Sequence, residues 1–188
     1  MTTQEDGLAE ITAFLERQDV PYMVIGGIAN LIWGEPRATL DVDVTVLVSS
    51  DAIDSFIASI GRELTILVKD PSRFVRDTRV LPASSRSGVR IDLVFGLLPF
   101  EEEAVRRAVS VVAAGRSIRV CTAEDLILMK IISDRPRDLE DAKAIVRRRL
   151  PLLDLGYLEP RVLEMASMME RDEITSRWRD WKAEASKP

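Results

Sequence analysis

The hydrophobic positions of this chain change period along its length, and each change marks an element. Leu8, Ile11, Phe14 and Leu15 recur at helical spacing until Gln18-Asp19 and Pro21, which predicts an opening helix and a turn. Tyr22 to Ile25 is a short apolar run ending in Gly26-Gly27. Ile28, Ala29, Leu31, Ile32 and Trp33 then suit a short buried helix closed by Gly34 and Pro36. From Asp41 to Val48 the chain alternates strictly, with Val42, Val44, Val46 and Val48 on one face and Asp41, Asp43, Thr45 and Leu47 on the other, the pattern of a half-buried strand. Ser49 or Ser50 is expected to cap a helix to about Arg62, Leu64 to Lys69 reads as a strand, and Val75 to Leu81 as another. Alternation returns between Val89 and Phe95, placing Val89, Ile91, Leu93 and Phe95 on one face and Arg90, Asp92 and Val94 on the other.

Beyond this strand, Pro99 and three glutamates fit a helix N-terminus, where anions suit the macrodipole. The segment near 111–116 resembles a hairpin, and Thr122 is placed to cap the first of four helices at about 123–133, 136–149, 157–170 and 173–185. The expected architecture is α+β, with an α/β core over 1–120 and a helical part over 121–188 packed on it. No internal repeat or low-complexity linker separates them.

Composition narrows the chemistry. The 188 residues are 46% hydrophobic and 30% charged, an ordinary globular balance, but they include no histidine and one cysteine. Zero histidine excludes Ser-His-Asp and Cys-His catalysis and every histidine-containing zinc site, so acid-base work falls to carboxylates, Lys or Tyr. A lone Cys121 forms no internal disulfide. The opening MTTQEDGLAE has neither a basic nor an apolar leader region, and Tyr22 to Gly34 is too short to span a bilayer, so the expectation is a cytoplasmic protein without membrane contact. A net charge of -5 repels polyanions. One local patch runs against it: Lys69, Arg73, Arg76, Arg79, Arg86 and Arg90 are interrupted only by Asp70 and Asp77, a candidate RNA track or a solvated face. Trp33, Trp178 and Trp181 are most simply packing residues.

Two aspartates two apart in a valine-rich strand repel each other, and a cation is the obvious compensation. Same-face neighbours have Cα atoms roughly 7 Å apart, near enough for Asp41 and Asp43 to share one metal, and oxygen-only ligation suits Mg²⁺. Asp92 offers a third carboxylate, for a second metal site or as a general base. Gly26-Gly27 at a strand-to-helix turn permits close approach of a phosphate. Each feature has a plainer reading: a charged strand edge for the aspartate pair, an ion pair with Arg90 or Arg37 for Asp92, and a tight turn for the glycines.

The combination is more telling than its parts. Gly26-Gly27, 13 intervening residues and then Asp41-Val42-Asp43 in an alternating strand resemble the signature of the nucleotidyltransferase superfamily typified by DNA polymerase beta. More narrowly, GGIANLIWGEPRATLDVDVTV is similar to the opening of bacterial AbiEii-like nucleotidyltransferases, matching Arg37, Thr39, Asp41 and Asp43 of an Arg-x-Thr-x-Asp-x-Asp element. AEDLILMKIISDRPRDLEDAKAI resembles that group's later elements through Lys130, Arg135, Asp138 and Asp141, with Arg137 in place of the usual Lys, and Gly27 stands where many relatives have Ser. The resemblance implies a mixed β-sheet flanked by helices and transfer of a nucleoside monophosphate from a nucleoside triphosphate to a hydroxyl. Asp41 and Asp43, with Asp92, are the implied Mg²⁺ ligands, and Asp92 is also the implied base. Gly26, Gly27, Arg37, Thr39 and Asp138 are the implied nucleotide contacts, and Lys130 neutralises triphosphate charge. For the AbiEii-like branch it further implies a toxin component that modifies tRNA, with a cognate antitoxin as partner. Nucleotidylation of an antibiotic and a catalytically silent nucleotide-binding module are the alternatives. A lysine in the apolar run Leu126 to Ile132 that only snorkels outward, and salt-bridged Asp138 and Asp141 on a helix surface, are the plainer readings of the later elements.

Overall fold

The computed structural model describes residues 3–113 and 115–187. In chain order it comprises α1 (Thr3–Arg17), β1 (Tyr22–Val24), α2 (Gly26–Trp33), β2 (Val42–Val46), α3 (Ile53–Ile60), β3 (Thr65–Ile66), α4 (Pro71–Thr78), β4 (Val80–Ser84) and β5 (Arg90–Phe95). There follow α5 (Pro99–Arg107), β6 (Val109–Ala113), β7 (Arg116–Val120), α6 (Ala123–Ile131), α7 (Pro136–Arg149), a single 3-10 turn, α8 (Leu155–Met168) and α9 (Asp172–Ala185). The chain divides into two compact units, Met1–Ile28 with Ala38–Cys121 and Ala29–Arg37 with Thr122–Pro188. Residues 29–37 thus group with the late helices, an association that a reading along the chain does not contain.

Among the described residues all seven strands lie in the first unit and form one mixed sheet in the order β3-β4-β5-β2-β1-β7-β6. The two alternating segments become β2 and β5, which pair in parallel with Asp43 beside Asp92 and Val44 beside Leu93. Their apolar faces are closed off from water: Val42, Val44, Val46, Ile91, Leu93 and Phe95 are all fully buried. Helix α1 packs against both strands, contributing Leu8, Ile11, Phe14 and Leu15, and Phe14, Phe56 of α3 and Phe95 stack edge to face with centroids 6.0 and 5.7 Å apart. Apolar burial therefore orients the strands, and the opposite face is left to Asp43 and Asp92, with Asp41 just before β2.

Several boundaries differ from the sequence reading. The expected strand over Val75 to Leu81 is instead α4 followed by β4. Asp70 caps α4 by accepting a hydrogen bond from the Arg73 amide, Pro71 opens it, and Arg79 ends it in a left-handed conformation at φ 63°. Leu64 to Lys69 contributes only the two residues of β3, and α3 starts at Ile53 after Ala52, with neither serine capping it. Asp41 precedes the ladder of β2. The hairpin near 111–116 pairs β6 with β7; Ala114 lies outside the described residues.

The basic run Lys69 to Arg90 loses most of its local excess on folding. Arg73 pairs with Asp77, Arg76 with Asp54, Arg79 with Glu101, Arg86 with Glu10 and Arg90 with Asp92. Only Asp77 among these partners lies inside the aspartates counted along the run.

The second unit is a helix cluster in which α6 packs on α7, α8 and α9, burying Leu126, Ile127, Leu128, Ile145, Val146, Leu158, Val162 and Ile174. Trp33, Trp178 and Trp181 all belong to it, the latter two buried. The arginine run closing α7 has a local task. Arg149 donates to the Ile32 and Trp33 carbonyls and lies over the Trp33 ring at 4.8 Å, while Arg148 donates to the Gly34 carbonyl and Arg147 pairs with Glu35. Arg148 and Arg149 satisfy carbonyl groups at the C-terminal end of α2, where the macrodipole is negative. Among the described residues no helix is long and apolar enough to cross a membrane.

Candidate functional site

The expected site residues fall into two groups, each internally connected. The first group lies in the sheet unit. Gly26 follows β1 and opens α2 with φ +61°, a conformation that side chains with a Cβ avoid. It faces Asp43 so closely that a Cβ there would stand 2.7 Å from the Asp43 carboxyl carbon. Gly27 repeats the relation with Thr39, where a Cβ would come within 2.6 Å of the Thr39 Cβ. The Ile25 amide donates to the Asp43 carbonyl at 2.9 Å, and the Thr39 hydroxyl donates to the Asp41 carbonyl at 3.3 Å. Both glycines thus fit the turn against the start of the aspartate strand.

Across the sheet, Asp92 stands in register with Asp43 on the adjacent parallel strand. Strands lie about 4.8 Å apart, so two carboxylates on one face at this register repel strongly unless a cation offsets them. Arg90, two residues before Asp92 on the same face of β5, is a cation there: its Nε donates to both Asp92 oxygens at 3.2 and 3.1 Å. The guanidinium pKa is raised, first by the hydrogen bond to Asp92 and by its charge, opposed in part by burial, with Asp41 and Asp43 adding smaller contributions. Arg90 therefore sits in the field of all three carboxylates. Along the sequence Arg90 stands both in the Lys69–Arg90 basic run and two residues before Asp92, and that i, i+2 spacing was the available signal.

Hard oxygen donors on one strand face, in a chain without histidine, have the chemistry of a Mg²⁺ site. Among the described residues no three His, Cys, Asp or Glu side chains stand close enough to enclose a metal ion as they are arranged. Asp41, Asp43 and Asp92 are a neighbouring set, from which two carboxylates with water and phosphate oxygens are the ordinary complement for this ion.

The second group lies wholly in the helical unit. Lys130 of α6 is buried and donates to Asp138 at 2.7 Å and to Asp141 at 2.9 Å, both on α7. Arg37 grips Asp141 through two bonds of 2.9 and 2.8 Å, and the Ser133 hydroxyl donates to Asp138 at 2.9 Å. Two cations and two carboxylates leave no net charge. Burial alone would push both carboxyls up, but for Asp138 the Lys130 and Ser133 bonds and the Lys130 and Arg135 charges, and for Asp141 the Arg37 and Lys130 bonds and charges, hold them below the ordinary value. The structure brings Lys130, Arg37 and Asp138 together, and the residue that ties them is Asp141. The sequence displayed Asp141 within a matched element without indicating this role.

Replacing Gly26 with alanine forces a Cβ into a left-handed backbone and against Asp43. Stability is expected to fall by about 1–2 kcal/mol in thermal melts, with catalytic turnover falling alongside it. Gly88 has φ +82° and nothing within 4 Å of where a Cβ would stand, so Gly88→Ala provides the control: a similar stability loss with turnover retained.

Residues 6–186 match the model of a family described as nucleotidyltransferase of unknown function (DUF6036). No curated protein matches the chain in sequence. Among solved structures, the solution structure of the antibiotic-resistance factor ANT(2'')-Ia superposes with a TM-score of 0.57 at 16% identity, over 97% of this chain and 96% of that one. An antigenic nucleotidyltransferase-like protein from Paracoccidioides brasiliensis gives 0.53 at 13% identity, over 90% and 88%. The lincosamide antibiotic adenylyltransferase LnuA, with lincomycin bound, gives 0.52 at 16% identity, over 77% and 96%. At these identities the likeness shows a shared fold.

Proposed function

Since the chain belongs to the DUF6036 family of nucleotidyltransferases, we propose that it moves a nucleoside monophosphate from a nucleoside triphosphate to an acceptor hydroxyl at the face shared by β2 and β5. The observation that carries this reading is the in-register placement of Asp43 beside Asp92, with Gly26 against the Asp43 carboxylate. Asp41 and Asp43, with Asp92 adjacent, are the residues to hold Mg²⁺, which when bound supplies charge neutralisation to the phosphates. The acceptor oxygen forms a bond to the α-phosphorus, the bond from that phosphorus to the bridging oxygen breaks, and pyrophosphate leaves. The proton of the attacking hydroxyl passes to an Asp92 carboxylate oxygen. Gly26-Gly27 lets phosphate approach the start of α2, where helix amides point outward. Positioning and charge compensation account for most of such catalysis.

We infer a small hydroxylated acceptor, with ATP the first donor to try. The net charge of -5 and the pairing of Arg73, Arg76, Arg79, Arg86 and Arg90 with carboxylates support this over a polyanionic acceptor. The near full-length likeness to ANT(2'')-Ia and the likeness to LnuA support it as well. The toxin reading, with tRNA as acceptor and an antitoxin as partner, rests on the Arg37-x-Thr39-x-Asp41-x-Asp43 element. One assay separates them: each α-³²P nucleoside triphosphate is incubated with the protein and tRNA, total protein or a small-molecule extract, with Mg²⁺ or EDTA. Label is expected in the small-molecule pool and absent with EDTA. Label in tRNA reverses the acceptor assignment, and label in none of the three overturns the proposed transfer.

A further inference from the structure

Resting on the assignment of Asp41, Asp43 and Asp92 to metal and nucleotide, we propose that Arg90 is a positioning residue that holds the carboxylate cluster until the metal arrives and then turns to the triphosphate. The geometry argues for such an exchange. Arg90 engages both oxygens of Asp92, with a closest ion-pair distance of 3.0 Å, so the guanidinium takes up part of their lone-pair capacity and its charge opposes a second cation there. The pair is also easy to part: the Arg90 side chain is 52% exposed, and solvent-exposed ion pairs are worth at most about 1 kcal/mol.

Three carboxylates and one arginine leave the face negative, so a divalent cation is drawn in despite the competition. Once released from Asp92, the guanidinium is a planar fork of donors suited to phosphate oxygens. Each ligand then favours the other. A triphosphate that captures Arg90 frees Asp92 for the metal, and a metal that captures Asp92 frees Arg90 for the triphosphate, a reciprocity that linkage requires. In the absence of nucleotide, Arg90 is a built-in competitor that weakens metal binding.

Mn²⁺, followed by its electron paramagnetic resonance signal as a stand-in for Mg²⁺, tests this without turnover. The protein, Arg90→Ala, Arg90→Lys and Asp41→Asn are titrated with and without an ATP analogue carrying a methylene bridge between the α- and β-phosphates. Without nucleotide, Arg90→Ala is expected to bind Mn²⁺ about three- to tenfold more tightly than the parent protein, from removal of one nearby positive charge. Arg90→Lys, which keeps the charge, returns toward the parent affinity. The analogue tightens Mn²⁺ binding in the parent protein and does so less in Arg90→Ala. If Arg90→Ala matches the parent in both affinity and nucleotide response while Asp41→Asn loses Mn²⁺, the exchange is overturned and the metal assignment stands. If the parent binds no Mn²⁺ with or without nucleotide, the metal assignment falls and the exchange with it.

Discussion

Asp43→Asn is expected to lower nucleotidyl transfer by about a thousandfold or more, while raising the melting temperature of the protein in EDTA. The rate effect follows from the amide's inability to offset phosphate charge through a bound cation, the kind of electrostatic contribution whose loss costs about two to three orders of magnitude or more. The opposite sign in stability follows from the sheet. Asp43 stands beside Asp92 two residues after Asp41, and Arg90 lies in the field of all three. Removing one of the mutually repelling charges relieves the metal-free fold by about 0.5–1 kcal/mol, a rise of a few degrees for a domain of this size. Calorimetry in EDTA alongside the transfer assay reads both. A fall in melting temperature instead identifies Asp43 as a structural ion-pair partner.

Lys130→Met is expected to weaken the helical unit by about 2–3 kcal/mol at neutral pH, because Asp141, buried, and Asp138, a quarter exposed, then stay in place with less compensation. Denaturant unfolding followed by tryptophan emission measures it directly, since all three tryptophans lie in that unit. Its pH dependence has a definite sign. Both carboxyls have folded pKa values below the ordinary 3.8, so their contribution to the parent protein is full above that value and is lost as pH falls through the lower folded value. The gap between parent and Lys130→Met is therefore wide at neutral pH and narrows in acid, where protonated carboxyls no longer need the lysine. A constant gap across that range contradicts the buried ionic cluster.

Much of the fold was legible because period-two alternation is unambiguous when apolar residues fill one face, valines in Asp41 to Val48 and Val89, Ile91, Leu93 and Phe95 in Val89 to Phe95. The same rule placed Asp41, Asp43 and Asp92 on polar faces. It does not say which strands are neighbours, so the contact of β2 with β5 emerges only in the folded chain. Helix α4 escaped because Val75 to Leu81 mixes apolar and charged residues without a clear period, and the decisive signals, Asp70 as cap and Pro71 as first residue, lie upstream. Charge partners were the least legible. Arg76 finds Asp54 and Arg86 finds Glu10 across long separations, so a count along Lys69 to Arg90 overstated the positive charge that folding leaves unmatched. Lys130 behaved neither as an outward-pointing surface lysine nor as an unengaged cation, because Asp141, eleven residues away, and Arg37 close a neutral cluster that spacing alone does not reveal.

Strand pairing stores information as parity. Even-numbered residues of β2 and odd-numbered residues of β5 enter the core, and their complements, Asp43 and Asp92, face away together. Sliding β5 by one residue brings Ile91 or Leu93 beside Asp43 and turns Phe95 out of the core. The same binary choice thus governs whether the sheet can be covered and whether the two carboxylates meet. Any variant chain that closes this hydrophobic face correctly delivers them side by side, with no separate instruction for the chemistry.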